Sequence, residues 1–119
     1  MQKILVLDDE ADILAAVEII LTRENFIVKT ISKWEKLPEA LLSFDPHLIL
    51  LDVALSGADG RDICEYLNTV KETKDIPIIL FSANHDLPGN LNGCNPDAII
   101  TKPFDASHLV ETINKYLAN

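Results

Sequence analysis

The chain has 119 residues, of which 48% are hydrophobic, and a formal net charge of -9 at pH 7. This length suits one domain, and the composition is typical of a globular protein rather than a disordered one. The negative charge argues against direct binding of nucleic acid, which relies on clustered Lys and Arg. No apolar run has the length of a signal peptide core or a membrane span, so we expect a cytoplasmic protein without membrane insertion.

Five apolar segments alternate with helical patterns along the chain. The predicted strands are Ile4–Leu7, Phe26–Ile31, Leu48–Leu51, Ile76–Phe81 and Ala98–Ile100. The predicted helices run from Asp12 to near Asn25, over Trp34–Phe44, after an Asp59 N-cap and after an Asp105 N-cap. This alternation predicts an α/β fold, a doubly wound five-stranded parallel sheet formed by a single domain over residues 1–119.

The segment between Ser82 and Ala98 breaks the alternation. It contains two prolines and two glycines, and each of these residue types is costly inside a helix. We therefore expect the fourth helix to be short or irregular. We also expect a mobile loop here, with weak amide protection across residues 87–95.

Cys64 and Cys94 lie far apart in the sequence and belong to no CxxC or Cys/His cluster. We therefore expect both to be reduced thiols, as is usual in a cytosolic protein. The three histidines share no spacing or acidic partner that would make a metal or phosphohistidine site.

Polar side chains follow four of the five predicted strands. The sequence places them at Asp8, Asp9, Asp52, Ser82 and Lys102. The carboxyl ends of parallel strands share one edge of the sheet, so we expect these side chains to converge. Three carboxylates in one small site favour a divalent cation, and hard oxygen ligands suit Mg²⁺, with Mn²⁺ as the alternative. A lysine and a hydroxyl beside them would stabilise a transferring phosphoryl group, which makes Asp52 the natural acceptor.

These motifs resemble the receiver domain of response regulators in two-component signalling, over residues 2 to 118. The resemblance rests on the acidic pair Asp8-Asp9, on Asp52 in LDVALSGADG, on Ser82 in LFSA and on Lys102 in TKPF. It implies the flavodoxin-like (βα)5 fold of that family. It also implies a cis peptide bond between Lys102 and Pro103, a geometry found in only about 5–6% of X-Pro bonds.

The resemblance further implies transfer of a phosphoryl group from a phosphohistidine, on a sensor histidine kinase or a phosphotransfer protein, to Asp52. In the family pattern Asp9, Asp52 and the backbone carbonyl of Ala54 hold Mg²⁺, and Asp8 acts through water. Lys102 pairs with the phosphoryl group, and Ser82 moves to report phosphorylation to an output partner that the sequence does not identify. Such a domain is not an enzyme acting on other substrates, because it catalyses only its own phosphorylation and dephosphorylation.

The chain departs from the family pattern at two residues. The switch position, three residues before Lys102, is Ile99 instead of an aromatic residue, and Ser56 stands where a proline is common. Two alternatives therefore stay open. One is a receiver-like interaction module with weakened phosphorylation-dependent switching. The other is a Mg²⁺-dependent phosphohydrolase with an aspartyl nucleophile, although such enzymes carry a second Asp where this chain has Ala54. The pair Asp8-Asp9 could also simply cap the following helix.

Overall fold

A computed structural model of the chain describes residues 1–83 and 90–117. Five parallel strands form its main sheet, in the order β2-β1-β3-β4-β5. Their bounds are β1 Lys3–Leu7, β2 Ile27–Ile31, β3 Leu48–Asp52, β4 Ile78–Ser82 and β5 Ala98–Thr101. The structure thus confirms the predicted parallel sheet, with β3 at its centre.

Helices cover both faces of this sheet. Their bounds are α1 Ala11–Arg23, α2 Leu37–Phe44, α3 Gly60–Thr69 and α4 Ala106–Leu117. The buried side chains of α2 and α3 pack in one core cluster, and those of α1 and α4 pack in a second cluster. The residues of β3 alternate between the two clusters, since Ile49 and Leu51 belong to the first and Leu48 and Leu50 to the second. This arrangement explains why β3 is apolar without alternation, because both of its faces are buried.

The starts of α2 and α3 follow local sequence signals. Pro38 lies in the first turn of α2, where a proline is tolerated, and a short 3-10 turn over Trp34–Lys36 precedes this helix. The Asp59 carboxylate caps α3 by accepting a hydrogen bond of 2.9 Å from the backbone N–H of Arg61. In the loop after β3, a two-residue hairpin pairs Ala54–Leu55 with Ala58–Asp59. This hairpin was not predicted.

The irregular segment ahead of β5 is confirmed over residues 90–97, which form no helix. A turn there places Asn92 and Gly93 at φ values of 53° and 89°. Residues 84–89 lie outside the described residues, so the remainder of the loop prediction is not addressed. The expected weak amide protection stays a prediction.

The expectation of two reduced thiols is wrong in this structure. Cys64 and Cys94 form a disulfide with their Cα atoms 5.2 Å apart. Cys64 lies on the buried face of α3, and the segment ahead of β5 brings Cys94 against it. Rules based on sequence spacing detect pairs within one local motif, whereas this pair is created by the tertiary fold.

No helix within the described ranges combines the length and the apolar character that crossing a membrane requires.

Candidate functional site

The charged side chains of the site lie at or directly after the carboxyl ends of three parallel strands. Asp8 follows β1, Asp52 ends β3, and Lys102 follows β5. The Lys102 Nζ atom lies 2.8 Å from Asp8 Oδ2 and 3.4 Å from Asp52 Oδ1. Asp8 is fully buried and Asp52 is only 4% exposed. The carboxyl edge of the sheet therefore holds two buried carboxylates that share one ammonium group.

Glu10 adds a third carboxylate, which sequence reasoning missed. Its Oε1 atom lies 3.1 Å from Lys102 Nζ, although its side chain is largely exposed. Asp8 positions it, because Asp8 Oδ1 accepts a hydrogen bond of 2.9 Å from the backbone N–H of Glu10. The signal for Glu10 was present in the sequence, since it directly follows the acidic pair and precedes α1.

The carboxylate oxygens of Asp8, Glu10 and Asp52 lie within 4.8 Å of one another, close enough to share a metal ion. Among the described residues, Lys102 alone pairs with these three acids, so two of their formal negative charges have no cationic partner in that part of the chain. Hard carboxylate oxygens in this arrangement fit Mg²⁺ or a similar divalent ion. The donor set of the site is therefore compatible with the metal that the sequence predicts.

The pKa of Asp52 reflects this charge imbalance. Burial raises it from 3.8 to about 6, with a further increase from the neighbouring charge of Asp8, while Lys102 opposes both effects. Burial also disfavours the charged form of Lys102. The hydrogen bonds from Lys102 to Asp8 and Glu10 and the charge of Asp52 outweigh that effect, and they hold the pKa of Lys102 above its usual value.

Asp9 makes a different contact. Its Oδ2 atom accepts a hydrogen bond from the backbone N–H of Ser56, in the hairpin after β3. Asp9 and Ser56 line a cleft of about 440 Å³ together with Ser32, Lys33 and Glu35. The structure therefore brings together Asp8, Asp52 and Lys102 of the predicted residues, and it places the Asp9 carboxylate beside them in a separate contact.

Ala54 and Ser82 line the same cleft as Asp52. The volume of this cleft is about 490 Å³, and Glu10 and Lys102 also line it. Ser82 is buried at the end of β4. Ile99, in β5, is partly buried against the core cluster on the α2 and α3 side of the sheet. Its neighbour along β5, Ile100, belongs to the opposite cluster.

Two stacked aromatic rings, Phe81 and Phe104, lie next to Lys102. The Lys102–Pro103 peptide bond is cis in the structure. The following residue, Phe104, stacks on Phe81 of β4 with ring centroids 5.3 Å apart. The Lys102 Nζ atom lies 6.0 Å from the Phe81 ring centroid, at the outer limit of a cation–π contact.

Gly60 brings α3 against the back of the site. Its backbone N–H donates a hydrogen bond of 2.7 Å to the carbonyl of Val53. A Cβ atom at this position would collide with the backbone carbonyl oxygen of Asp52 and would lie 2.8 Å from the Cα atom of Val53. Only glycine permits this close approach, so Gly60 allows α3 to begin directly beside the end of β3.

Comparisons with known proteins agree with this geometry. The model of the response regulator receiver domain matches residues 4–114. The transcriptional regulatory protein ResD of Bacillus subtilis is 32% identical over 117 residues, which cover 97% of this chain and 48% of that protein. The DNA-binding response regulator MtrA of Mycolicibacterium paratuberculosis is 31% identical over 118 residues, which cover 98% of this chain and 51% of that protein. The chain thus spans about half the length of these curated relatives.

Solved structures share the fold. The receiver domain of a signal transduction histidine kinase from Syntrophus aciditrophicus has a TM-score of 0.90 at 24% identity, covering 99% of this chain and 91% of that one. The receiver domain of a sensor histidine kinase from Pseudomonas aeruginosa, described with a magnesium ion in its active site cleft, has a TM-score of 0.88 at 20% identity and covers 99% and 98% of the two chains. On the match of the family model to nearly all of its length, this chain belongs to the family of response regulator receiver domains.

Proposed function

We propose that this chain is a phosphorylatable receiver domain that accepts a phosphoryl group on Asp52. The observation that carries the proposal is the arrangement of Lys102 between Asp8, Glu10 and Asp52 at the carboxyl edge of the sheet. In the described part of the chain, the three acids exceed the one cation, Lys102, and this excess of negative charge favours a divalent cation. A phosphoryl group entering the cleft would find positive charge on two sides.

The transfer step uses Asp52 as nucleophile. A carboxylate oxygen attacks the phosphorus of a phosphohistidine, the bond between phosphorus and nitrogen breaks, and an acyl phosphate forms while the imidazole keeps the electron pair. A pKa of about 6 leaves Asp52 mainly ionised at neutral pH, so it can act as the nucleophile. The Lys102 ammonium, 3.4 Å from Asp52 Oδ1, would pair with the phosphoryl oxygens.

The proposed metal ligands are Asp9, Asp52 and the backbone carbonyl of Ala54, with Asp8 acting through water. A bound Mg²⁺ would neutralise charge on the phosphoryl oxygens during transfer. In the structure, one oxygen of the Asp9 carboxylate accepts a hydrogen bond from the Ser56 backbone, so the other oxygen is the proposed metal ligand. Glu10 is an additional candidate, because its carboxylate already lies in the cluster.

The remaining proposals concern the signal and its source. Ser82 would respond to the phosphoryl group, and Ile99 would transmit the change less strongly than an aromatic residue. Receiver domains are phosphorylated by sensor histidine kinases, and such a kinase or a phosphotransfer protein is the proposed donor. This function places the chain in the cytoplasm as one receiver domain over residues 1–119, a signalling domain that acts on no external substrate.

The direct test is labelling with acetyl phosphate and Mg²⁺, followed by intact mass spectrometry. We expect one phosphoryl group on the wild type, none on Asp52→Asn, and none on the wild type in excess EDTA. Asp75→Asn, an exposed acid distant from the site, is the matched control and should label normally. Equal labelling of Asp52→Asn would refute the assignment.

A second candidate is an interaction module that does not depend on phosphate. The observation that favours it is the burial of the smaller, aliphatic Ile99 against the core at the switch position. This candidate predicts that an isolated binding partner has the same Kd for the wild type, for Asp52→Ala and for the acetyl-phosphate-treated wild type. A change in Kd on phosphorylation would reject it.

A further inference from the structure

The Cys64–Cys94 disulfide joins α3 to the segment ahead of β5. This segment, here called the clasp segment, comprises residues 90–97. It leads into the start of β5, at the edge of the sheet opposite the Asp52 cleft, where the backbone N–H of Asp97 donates a hydrogen bond of 2.8 Å to the carbonyl of Ile78 at the start of β4. The disulfide closes a loop of 30 residues that contains β4.

The two cysteines differ in exposure. Cys64 is fully buried in the core cluster that includes Leu67 of α3, whereas Cys94, a buried member of the same cluster, keeps 6% exposure. Thiol–disulfide exchange requires in-line approach of a thiolate to one sulfur. An external thiol can therefore reach Cys94 more readily, and Cys64 is the leaving sulfur.

Few other contacts hold the clasp segment on α3. Arg61 donates a hydrogen bond of 2.7 Å to the carbonyl of Asn90, and the backbone N–H of Asn95 donates one of 2.8 Å to Asn68 Oδ1. Both contacts are exposed, and exposed hydrogen bonds open readily. The disulfide is therefore the main link between α3 and this segment, whose other end is hydrogen-bonded to the start of β4.

We infer that Cys64 and Cys94 form a reversible redox site, reduced by a thiol reductant through Cys94, that fixes the clasp segment on α3 when oxidised and releases it when reduced. This inference rests in part on the proposed function, because a kinase-dependent receiver works in a reducing compartment. Disulfides found there are mostly transient and redox-sensing rather than permanent. The difference in exposure between Cys64 and Cys94 does not depend on that function.

The chemistry balances as a two-electron reduction. The thiolate of a dithiol attacks the Cys94 sulfur, the disulfide bond breaks, and Cys64 leaves as a thiolate that takes up a proton. The second thiol of the dithiol then displaces Cys94 from the mixed disulfide. The dithiol ends as a disulfide, and the chain ends with two thiols. The same exchange in reverse, with the disulfide form of the dithiol as the two-electron oxidant, re-forms the bond between Cys64 and Cys94.

The first experiment measures native reduction. The full chain is purified without reductant, treated with dithiothreitol in the absence of denaturant, alkylated with iodoacetamide and analysed by mass spectrometry. We expect no alkylation before reduction and two alkylated cysteines afterwards, together with a loss of roughly 10 °C in Tm. Free thiols in the untreated protein would overturn the inference, and so would a disulfide that dithiothreitol reduces only in denaturant.

Hydrogen exchange then tests the structural consequence. We expect faster exchange of the amides of residues 90–97 after reduction, while those of β1 and β3 stay protected. The double variant Cys64→Ala, Cys94→Ser should resemble the reduced wild type and should not respond to dithiothreitol. Unchanged exchange over residues 90–97 would show that the disulfide does not control the segment.

A pair of single variants tests which sulfur reacts. Iodoacetamide should modify Cys94 in Cys64→Ala at least tenfold faster than it modifies Cys64 in Cys94→Ala, and similar rates would refute the assignment of Cys94. Labelling by acetyl phosphate is measured separately on the oxidised and reduced wild type. Absence of labelling in both forms would contradict the proposed function while leaving these redox results interpretable.

Discussion

The carboxyl edge of the sheet and the clasp segment are positioned in different ways. At the edge, Asp8, Asp52 and Lys102 are carried by β1, β3 and β5, so the backbone hydrogen bonds of the sheet fix their positions. The clasp segment belongs to no strand or helix, and it is held in place by a disulfide, by side-chain contacts from α3 and by hydrogen bonds at its end to the start of β4. The carboxyl edge of the sheet can therefore hold buried charges at fixed positions. The position of the clasp segment depends instead on each individual contact.

This difference gives each region its own sensitivity. The edge responds to changes in charge, because its buried carboxylates have few ways to be neutralised. The clasp segment responds to changes in individual covalent and hydrogen bonds. Substitutions in the two regions should therefore differ in their effects. The free energy of unfolding of each variant is measured by urea unfolding in EDTA unless stated otherwise.

Removal of the shared cation should have the largest effect. In Lys102→Met the buried Asp8 and Asp52 lose their common partner, which lies 2.8 Å and 3.4 Å from them. We expect the free energy of unfolding at pH 7 to fall by about 4 kcal/mol, in the range found when one member of a buried ion pair is removed. The exposed Lys74→Met is the control. A loss as small as that of the control would mean that the edge does not depend on its charges.

Gly60→Ala should disturb the same edge through steric overlap. The added Cβ atom would collide with the backbone of Asp52 and Val53, so α3 or the end of β3 must move. We expect a loss of about 3 kcal/mol, as for an overpacked core, and slower labelling of Asp52 by acetyl phosphate. Ser107→Ala, an exposed position in the first turn of α4, is the control and should change neither quantity.

The raised pKa of Asp52 predicts a pH dependence. Between about pH 4 and pH 6 the folded chain keeps a proton on Asp52 that the unfolded chain has lost, so the free energy of unfolding falls as the pH rises through this window. Asp52→Asn lacks this titration. We expect it to be more stable than the wild type by roughly 3 kcal/mol at pH 7 and equally stable near pH 4.

The matched control for this pH dependence is Asp75→Asn, which should follow the wild-type curve. A constant difference between wild type and Asp52→Asn from pH 4 to pH 7 would contradict the raised pKa. Addition of Mg²⁺ at pH 7 should stabilise the wild type more than Asp52→Asn, because the ion offsets the same repulsion.

The smallest effect should come from the clasp segment. Asn68→Ala removes the acceptor for the backbone N–H of Asn95, a single hydrogen bond worth about 1 kcal/mol. We expect about fivefold faster exchange of the Asn95 amide, with no change in labelling at Asp52. Asn114→Ala, on the exposed face of α4, provides the control. Slower labelling in Asn68→Ala would show that the two regions are coupled.

Much of the edge could be predicted from sequence because it follows from the strands. Once four apolar runs are recognised as parallel strands, the residues at their ends must meet, as Asp8, Asp52 and Lys102 do. The cap at Asp59 was equally predictable, because it depends only on neighbouring residues. Glu10 was missed because its position depends on the direction in which the chain turns from β1 into α1.

The clasp segment was only partly predictable for the same physical reason. Its glycine and proline correctly excluded a regular helix over residues 90–97, since that preference is local. Its attachment to α3 was not predictable, because Cys64 and Cys94 are 30 residues apart with β4 between them in the chain, and only the tertiary fold brings them together. The orientation of Asp9 toward Ser56 likewise depends on the hairpin after β3, which the sequence did not indicate.

The strand order has a consequence for self-association. β2 is the outermost strand on its side of the sheet, and its free edge could template pairing with another chain. Its exposed residues include Lys29, in the middle of only five. A charge at that place opposes the docking of a second copy along this edge. Replacement of Lys29 by an apolar residue would remove this protection, so the domain would precipitate at lower protein concentration.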